Sequence, residues 1–137
     1  MPRRDEFHYA VTAALEKEGW KITHDHLDLS VEDTSLFADL GAEAVCVAER
    51  QGEKIAIEIK TFKGQSLVHK LHEAIGQYEV YRVALSLLYP EWTMYLAIPD
   101  VIYNDLFQRK IVKELVKRQN INLLVYSVST ETIALWI

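Results

Sequence analysis

Apolar side chains at Phe7, Ala10, Val11, Ala14 and Leu15 recur at the i, i+3, i+4 spacing of one helical face, which predicts a helix over residues 5–19. Gly19 suits the left-handed residue that ends it. Residues 20–29 read as a strand with a polar exit, and residues 25–39, polar and poorly periodic, as a loop with one short turn. Ala44-Val45-Cys46-Val47-Ala48 is apolar on both faces, the mark of a central strand. Gln51-Gly52-Glu53 supplies a turn, and residues 54–60 alternate cleanly as the second arm of a hairpin. Residues 66–89 return to helical spacing, stopped by Pro90. A strand over 93–98 follows, then a helix from Pro99-Asp100 to about residue 118, with Asp100 as its N-cap. Residues 122–127 and 132–136 form a closing hairpin. The order α-β-β-β-α-β-α-β-β predicts a mixed sheet with helices against it, an α/β or α+β fold.

The chain is 137 residues long, half of them hydrophobic and 26% charged, which fits one domain over residues 1–137. A domain of this size buries roughly two-thirds of its unfolded surface and needs no covalent staples. One cysteine excludes an intramolecular disulfide framework and points to a reducing, cytoplasmic setting. Met1-Pro2-Arg3-Arg4-Asp5-Glu6 runs straight into charge, without the apolar stretch of a secretory signal. The longest apolar-rich segment, residues 83–89, falls far short of the ~20 residues that span a bilayer. Net charge is −5, and it is uneven: residues 1–60 carry 7 basic and 13 acidic side chains, residues 61–137 carry 8 and 7. Acidic density of this kind marks either a cation site or a solvated face.

The segment with most chemistry is Lys54-Ile55-Ala56-Ile57-Glu58-Ile59-Lys60. Successive side chains on a strand point to opposite faces, so Glu58 and Lys60 stand side by side beside the small Ala56. An ion pair at a sheet edge, or plain alternation in a half-exposed strand, would give the same pattern. Asp39 precedes the strand that hairpins onto that of Glu58, so the two carboxylates can meet at one end of the sheet. Two carboxylates with water are what Mg²⁺ prefers, and an adjacent lysine can stabilise charge developing on a phosphate. As a loop residue in Asp39-Leu40-Gly41, the same aspartate also suits a turn. Gln77 and Tyr81, four apart, share a helical face; a buried glutamine there needs a partner, and an aromatic there also serves a core. His24 with His26, and His69 with His72, share faces but lack the further ligands of a zinc site. Cys46, mid-strand in an apolar run, reads as a buried, inert thiol. Arg109, Lys110, Lys113, Lys117 and Arg118 give one helix a basic stripe, either a phosphate contact or a solvated face.

Asp39 followed by Glu58-Ile59-Lys60 on a hairpin, between two helices, resembles the PD-(D/E)xK restriction-endonuclease-like fold, to which the tRNA-endonuclease-like domain also belongs. Its αβββαβ core would correspond to residues 5–98, with the later helix and the C-terminal hairpin as additions. The resemblance implies that Asp39 and Glu58 bind Mg²⁺ or Mn²⁺ and that Lys60 assists an attacking water. Gln77 and Tyr81 resemble the QxxxY motif of some branches, and Glu6 a third acid that some members add. The runs around Asp39-Leu40-Gly41-Ala42-Glu43, Ile57-Glu58-Ile59-Lys60-Thr61-Phe62 and Ala74-Ile75-Gly76-Gln77-Tyr78 further resemble the XisH family of fdxN-element excision controlling factors. That resemblance implies a role in programmed DNA-element excision and a partner protein like XisI, with two readings. Either the protein is a Mg²⁺-dependent endonuclease acting on DNA at Asp39, Glu58 and Lys60, or it is a non-catalytic regulator keeping the nuclease fold. DNA contact would fall to Arg109, Lys113 and Lys117. The apolar run 132–137 would be an exposed edge unless covered, so a homodimer or hetero-complex is expected.

Overall fold

Gln51 and Gly52 both take positive φ, 53° and 84°, the paired left-handed conformation of a tight hairpin turn, and Gly adopts it without steric cost. That turn joins β2 (Val45–Arg50) to β3 (Glu53–Ile59), antiparallel from Arg50 opposite Glu53 to Val45 opposite Glu58. The computed structural model describes residues 3–34, 45–60, 62 and 66–137, with the backbone alone for residues 3–5. Within them a six-stranded mixed sheet runs in chain order, β1 (Lys21–His24), β2, β3, β4 (Thr93–Pro99), β5 (Leu123–Ser127) and β6 (Thr132–Trp136). β3, β4 and β5 are mutually parallel, and the flanking pairings are antiparallel.

Alternation divides the core between the two faces of the sheet. Ile55, Ile57, Ile59, Cys46 and Leu124 turn towards α1 (Arg3–Lys17), which contributes Ala10, Val11 and Leu15. Val47, Ala56, Leu96, Ile98 and Val125 turn the other way, towards α2 (Leu67–Leu88). Ser66 caps α2 by accepting from the His69 N–H at 3.2 Å, close to the predicted start. Buried Leu71, Ala74, Tyr78, Tyr81 and Leu85 of α2 form its inner stripe. Under α1, Trp136 of β6 lies 6.0 Å from Trp20 and edge-on to Tyr95 at 5.1 Å, and its indole N–H donates to Glu18 at 3.3 Å. The last strand is thus fastened to the first helix and its C-terminal turn.

Two predicted elements are corrected. The strand expected over 20–29 stops at His24, with a bulge between Ile22 and His24. Trp20 and Ile22 pack on the α1 face whereas Leu27 and Leu29 are buried on the opposite one, and residues 23–26 between them are exposed. His26 therefore lies beyond the strand and does not share a strand face with His24. The helix expected from Asp100 to residue 118 is three pieces: α3 (Asp100–Tyr103), a 3₁₀ turn (Leu106–Gln108) and α4 (Lys110–Arg118). Arg109 is extended, with ψ of 139°, and breaks the helix. Pro99, not Asp100, holds the cap position of α3, and Asp100 sits in the first turn, where its charge still suits the helix dipole.

Candidate functional site at the end of strand β3

Glu58 lies on the central strand β3, between Val45 of β2 and Leu96 of β4, and is 0% exposed. Strand alternation places it with Ala56 on the α2 side of the sheet. Lys60 follows one residue past the strand, where its N–H still donates to the Ala97 carbonyl at 3.1 Å, extending the β4 ladder. The lysine is 7% exposed, and its ammonium stands 3.8 Å from Glu58 Oε2. The same ammonium donates to Gln77 Oε1 on α2. Three of the residues singled out in the sequence therefore meet: buried Glu58 and Lys60 and half-buried Gln77 form one polar cluster between the β3 end and α2. Tyr81, one turn after Gln77, is buried in the adjoining core.

Other singled-out residues lie elsewhere. Asp39 lies outside the described residues. Glu6 is exposed on α1, whose buried residues pack on the opposite face of the sheet from Glu58. Arg109, Lys113 and Lys117 are exposed on or beside α4, which packs through Val112 into the core that α2 shares. His24, His26, His69 and His72 are all exposed. Cys46 is buried, as its apolar run predicts, and burial followed by the charge of Asp25 pushes its thiol up from 9.0 to about 12. Such a thiol holds its proton and is a poor nucleophile.

Tyr78 was not singled out, yet it fastens the site's helix. Its hydroxyl donates to the Met94 carbonyl at 3.0 Å and accepts from the Asn122 N–H at 3.2 Å, tying α2 to β4 and the entry of β5. Burial raises its phenol above the ordinary range. Arg82 stacks over the Tyr78 ring at 5.1 Å and donates to the carbonyls of Gln119 and Asn120, at 2.9 and 2.8 Å, beyond the end of α4. The signal was available: Leu71, Ala74, Tyr78, Tyr81 and Leu85 continue one periodic stripe, which places Tyr78 inside.

Chemically, the cluster offers one carboxylate and one ammonium held in a dry setting with a neutral amide as second partner of the ammonium. Glu58 supplies the oxygen donors that Mg²⁺ takes, a hard cation usually held by one or two carboxylates and several waters. Among the described residues, no group of three or more His, Cys, Asp or Glu side chains could hold a metal ion. Also among them, no helix is long and apolar enough to cross a membrane.

A family model described as XisH protein matches residues 1–134. A search of the curated proteins finds no match for the chain. Among solved structures, the chain is similar to an XisH family protein from Nostoc punctiforme PCC 73102, with 41% identity and a TM-score of 0.89 over 97% of this chain and 99% of that one. It is equally similar to a fdxN element excision controlling factor protein from Anabaena variabilis, with 41% identity and a TM-score of 0.89 over 98% of this chain and 99% of that one. The six-stranded mixed sheet is thus shared with both structures across nearly their whole length, and the chain belongs to the XisH family.

Proposed function

We propose that this chain is an excision controlling factor that carries a Mg²⁺-dependent endonuclease site for DNA, built on Asp39, Glu58 and Lys60. The observation that carries the reading is the complete burial of Glu58 beside Lys60 on a central strand. Desolvating such a pair costs several kcal/mol per ion, and apolar side chains of similar volume would often serve folding as well or better. A charged pair kept there points to chemistry, because desolvated ionisable groups gather at functional sites. The order α1-β1-β2-β3-α2-β4 supports the reading, being the αβββαβ order of the PD-(D/E)xK nucleases.

Bound by Glu58 and Asp39, Mg²⁺ or Mn²⁺ would polarise a phosphate and acidify a water. Lys60, held beside Glu58 by Gln77, would present its ammonium to charge developing on the phosphate, where a fixed donor acts without reorganisation. Tyr81 would brace Gln77 from the core. The second reading is a regulator that binds DNA, or a XisI-like partner protein, without turnover. The pairing of Lys60 with both Glu58 and Gln77 favours it, since partners of this kind also serve structure alone.

The deciding experiment is Mg²⁺-dependent cleavage of supercoiled, linear and branched DNA by wild type, Lys60→Ala and Lys60→Gln, with folding checked by circular dichroism. Loss of ~10²–10³ in rate with DNA binding retained identifies the nuclease. No cleavage of any substrate, alone or with the partner protein added, identifies the regulator.

A further inference from the structure

A groove of about 510 Å³ opens on the α4 side of the sheet, between α3, the 3₁₀ turn, α4 and the start of β5. Its apolar wall includes Tyr103, Phe107, Val116 and Leu123, and Lys113 and Lys117 stand along it. Asn120 and Asn122 complete the same wall, the Asn122 amide already donating to the Met94 carbonyl at 3.2 Å. The volume falls within the range of sites that enclose a small molecule or a single residue of a polymer, about 300–1,000 Å³.

The charges in this region are unevenly answered. Arg118 is paired with Glu114 at 3.1 Å, and Arg109 with Asp105 at 3.8 Å. Lys113 and Lys117, the two cations that line the groove, have no acidic partner among the described residues. Unanswered cations spaced four apart share one side of α4, over the groove. In a chain of net charge −5 they make a local field of the opposite sign, which a cleft concentrates. Half-buried Tyr103 offers a ring, itself stacked on Phe107 at 6.4 Å and 20°. Ring, amide and cation together match a planar heteroaromatic group attached to a phosphate: the ring stacks, the exposed Asn120 can meet a base edge, and the lysines meet the anion.

We propose that this groove binds a nucleotide, with the base against Tyr103 and the phosphate between Lys113 and Lys117. The site is separate from the Glu58 cluster and its occupancy does not depend on cleavage. Its nucleotide can come free from solution or as an unpaired residue of a strand, and the chemistry is the same. An acidic protein segment would satisfy the lysines but would leave the ring without a specific partner.

The test is binding to the full chain in EDTA, which keeps the result independent of any cleavage. The probes are thymidine monophosphate, a short thymidine oligonucleotide, the same oligonucleotide with abasic positions, and a poly-glutamate peptide. Backbone-amide NMR shifts should move at Tyr103, Asn120 and Asn122 with either nucleotide probe. Lys113→Gln/Lys117→Gln, two surface changes, should weaken oligonucleotide binding about tenfold or more and lower its log–log salt slope by about two. Tyr103→Ala should cost roughly fivefold to a hundredfold, and abasic positions a similar factor. Saturation by the monophosphate alone assigns a free nucleotide; tight binding of the oligonucleotide alone assigns a strand; both support the site. Absence of binding, equal binding of abasic and intact oligonucleotides, binding unchanged by the lysine substitutions, or preference for poly-glutamate overturns it.

Discussion

A carboxylate with no exposed surface is tolerated only while opposite charge stays close. For Glu58 that charge includes Lys60, at 3.8 Å. Lys60→Met removes it and should destabilise the fold by about 3–5 kcal/mol, whereas Glu58→Leu/Lys60→Met should recover much of the loss. Urea unfolding of both single variants and the double variant measures the coupling; independent, additive effects would refute it. Cys46 carries a second prediction at this scale. Its thiol is raised from 9.0 to about 12, so the folded state holds the proton more tightly than the unfolded chain. The resulting stabilisation is complete below about pH 9 and is lost as pH rises towards about 12. Cys46→Ala should therefore flatten the decline of unfolding free energy over that alkaline range. Glu58 beside Lys60 was legible in the sequence because strand alternation leaves no other arrangement. The Gln77 contact was not, since it depends on how α2 docks, which no local spacing specifies.

At the scale of elements, the Tyr78 hydroxyl ties α2 to β4 and to the entry of β5. Tyr78→Phe leaves the Asn122 N–H without its acceptor and should cost about 1–3 kcal/mol. Thermal melts read the cost. Cleavage kinetics, where turnover occurs, should fall less than with Lys60→Ala, because the ring still fills its place. The hairpin and α2 were readable because turn chemistry, alternation and a sustained periodic stripe agreed. The region 100–118 was not, because its composition is helical throughout while its phase slips. Phe107 and Val112 are both buried, five apart, and Ile111 between them is 79% exposed. In the sequence Phe107, Ile111 and Leu115 keep helical spacing, so the break at the extended Arg109 shows only in which of them is buried. Asp39 presents a different limit: its role rests on the resemblance and on spacing, since it lies outside the described residues.

Taken whole, the sheet has two edges, and β6 forms one of them. The apolar run 132–137, an exposed edge unless covered, is partly covered by the chain itself, since Trp136 packs against Trp20 and Tyr95. Leu135 and Ile137 remain exposed, at 41% and 45%. We expect a homodimer, or a complex with a XisI-like partner, that covers Leu135. Sedimentation equilibrium of wild type and Leu135→Glu checks it: the substitution should shift the population to monomer. Were both monomeric across the micromolar range, with or without the partner, the expectation would fail.

The Trp20–Trp136 contact has an optical consequence. Indole rings 6.0 Å apart and tilted by 37° couple their electronic transitions, so the pair should give a near-ultraviolet circular dichroism signal that neither ring gives alone. Trp92 stacks at 4.0 Å on Tyr89, three residues away, and also meets His24 at 6.3 Å and the Lys54 ammonium at 5.2 Å. The couplet therefore reports closure between positions 20 and 136, a contact that spans nearly the whole chain. In stopped-flow refolding, the dichroic couplet should appear with the final rate-limiting phase. Trp136→Phe should erase the couplet while leaving the Trp92 emission in place.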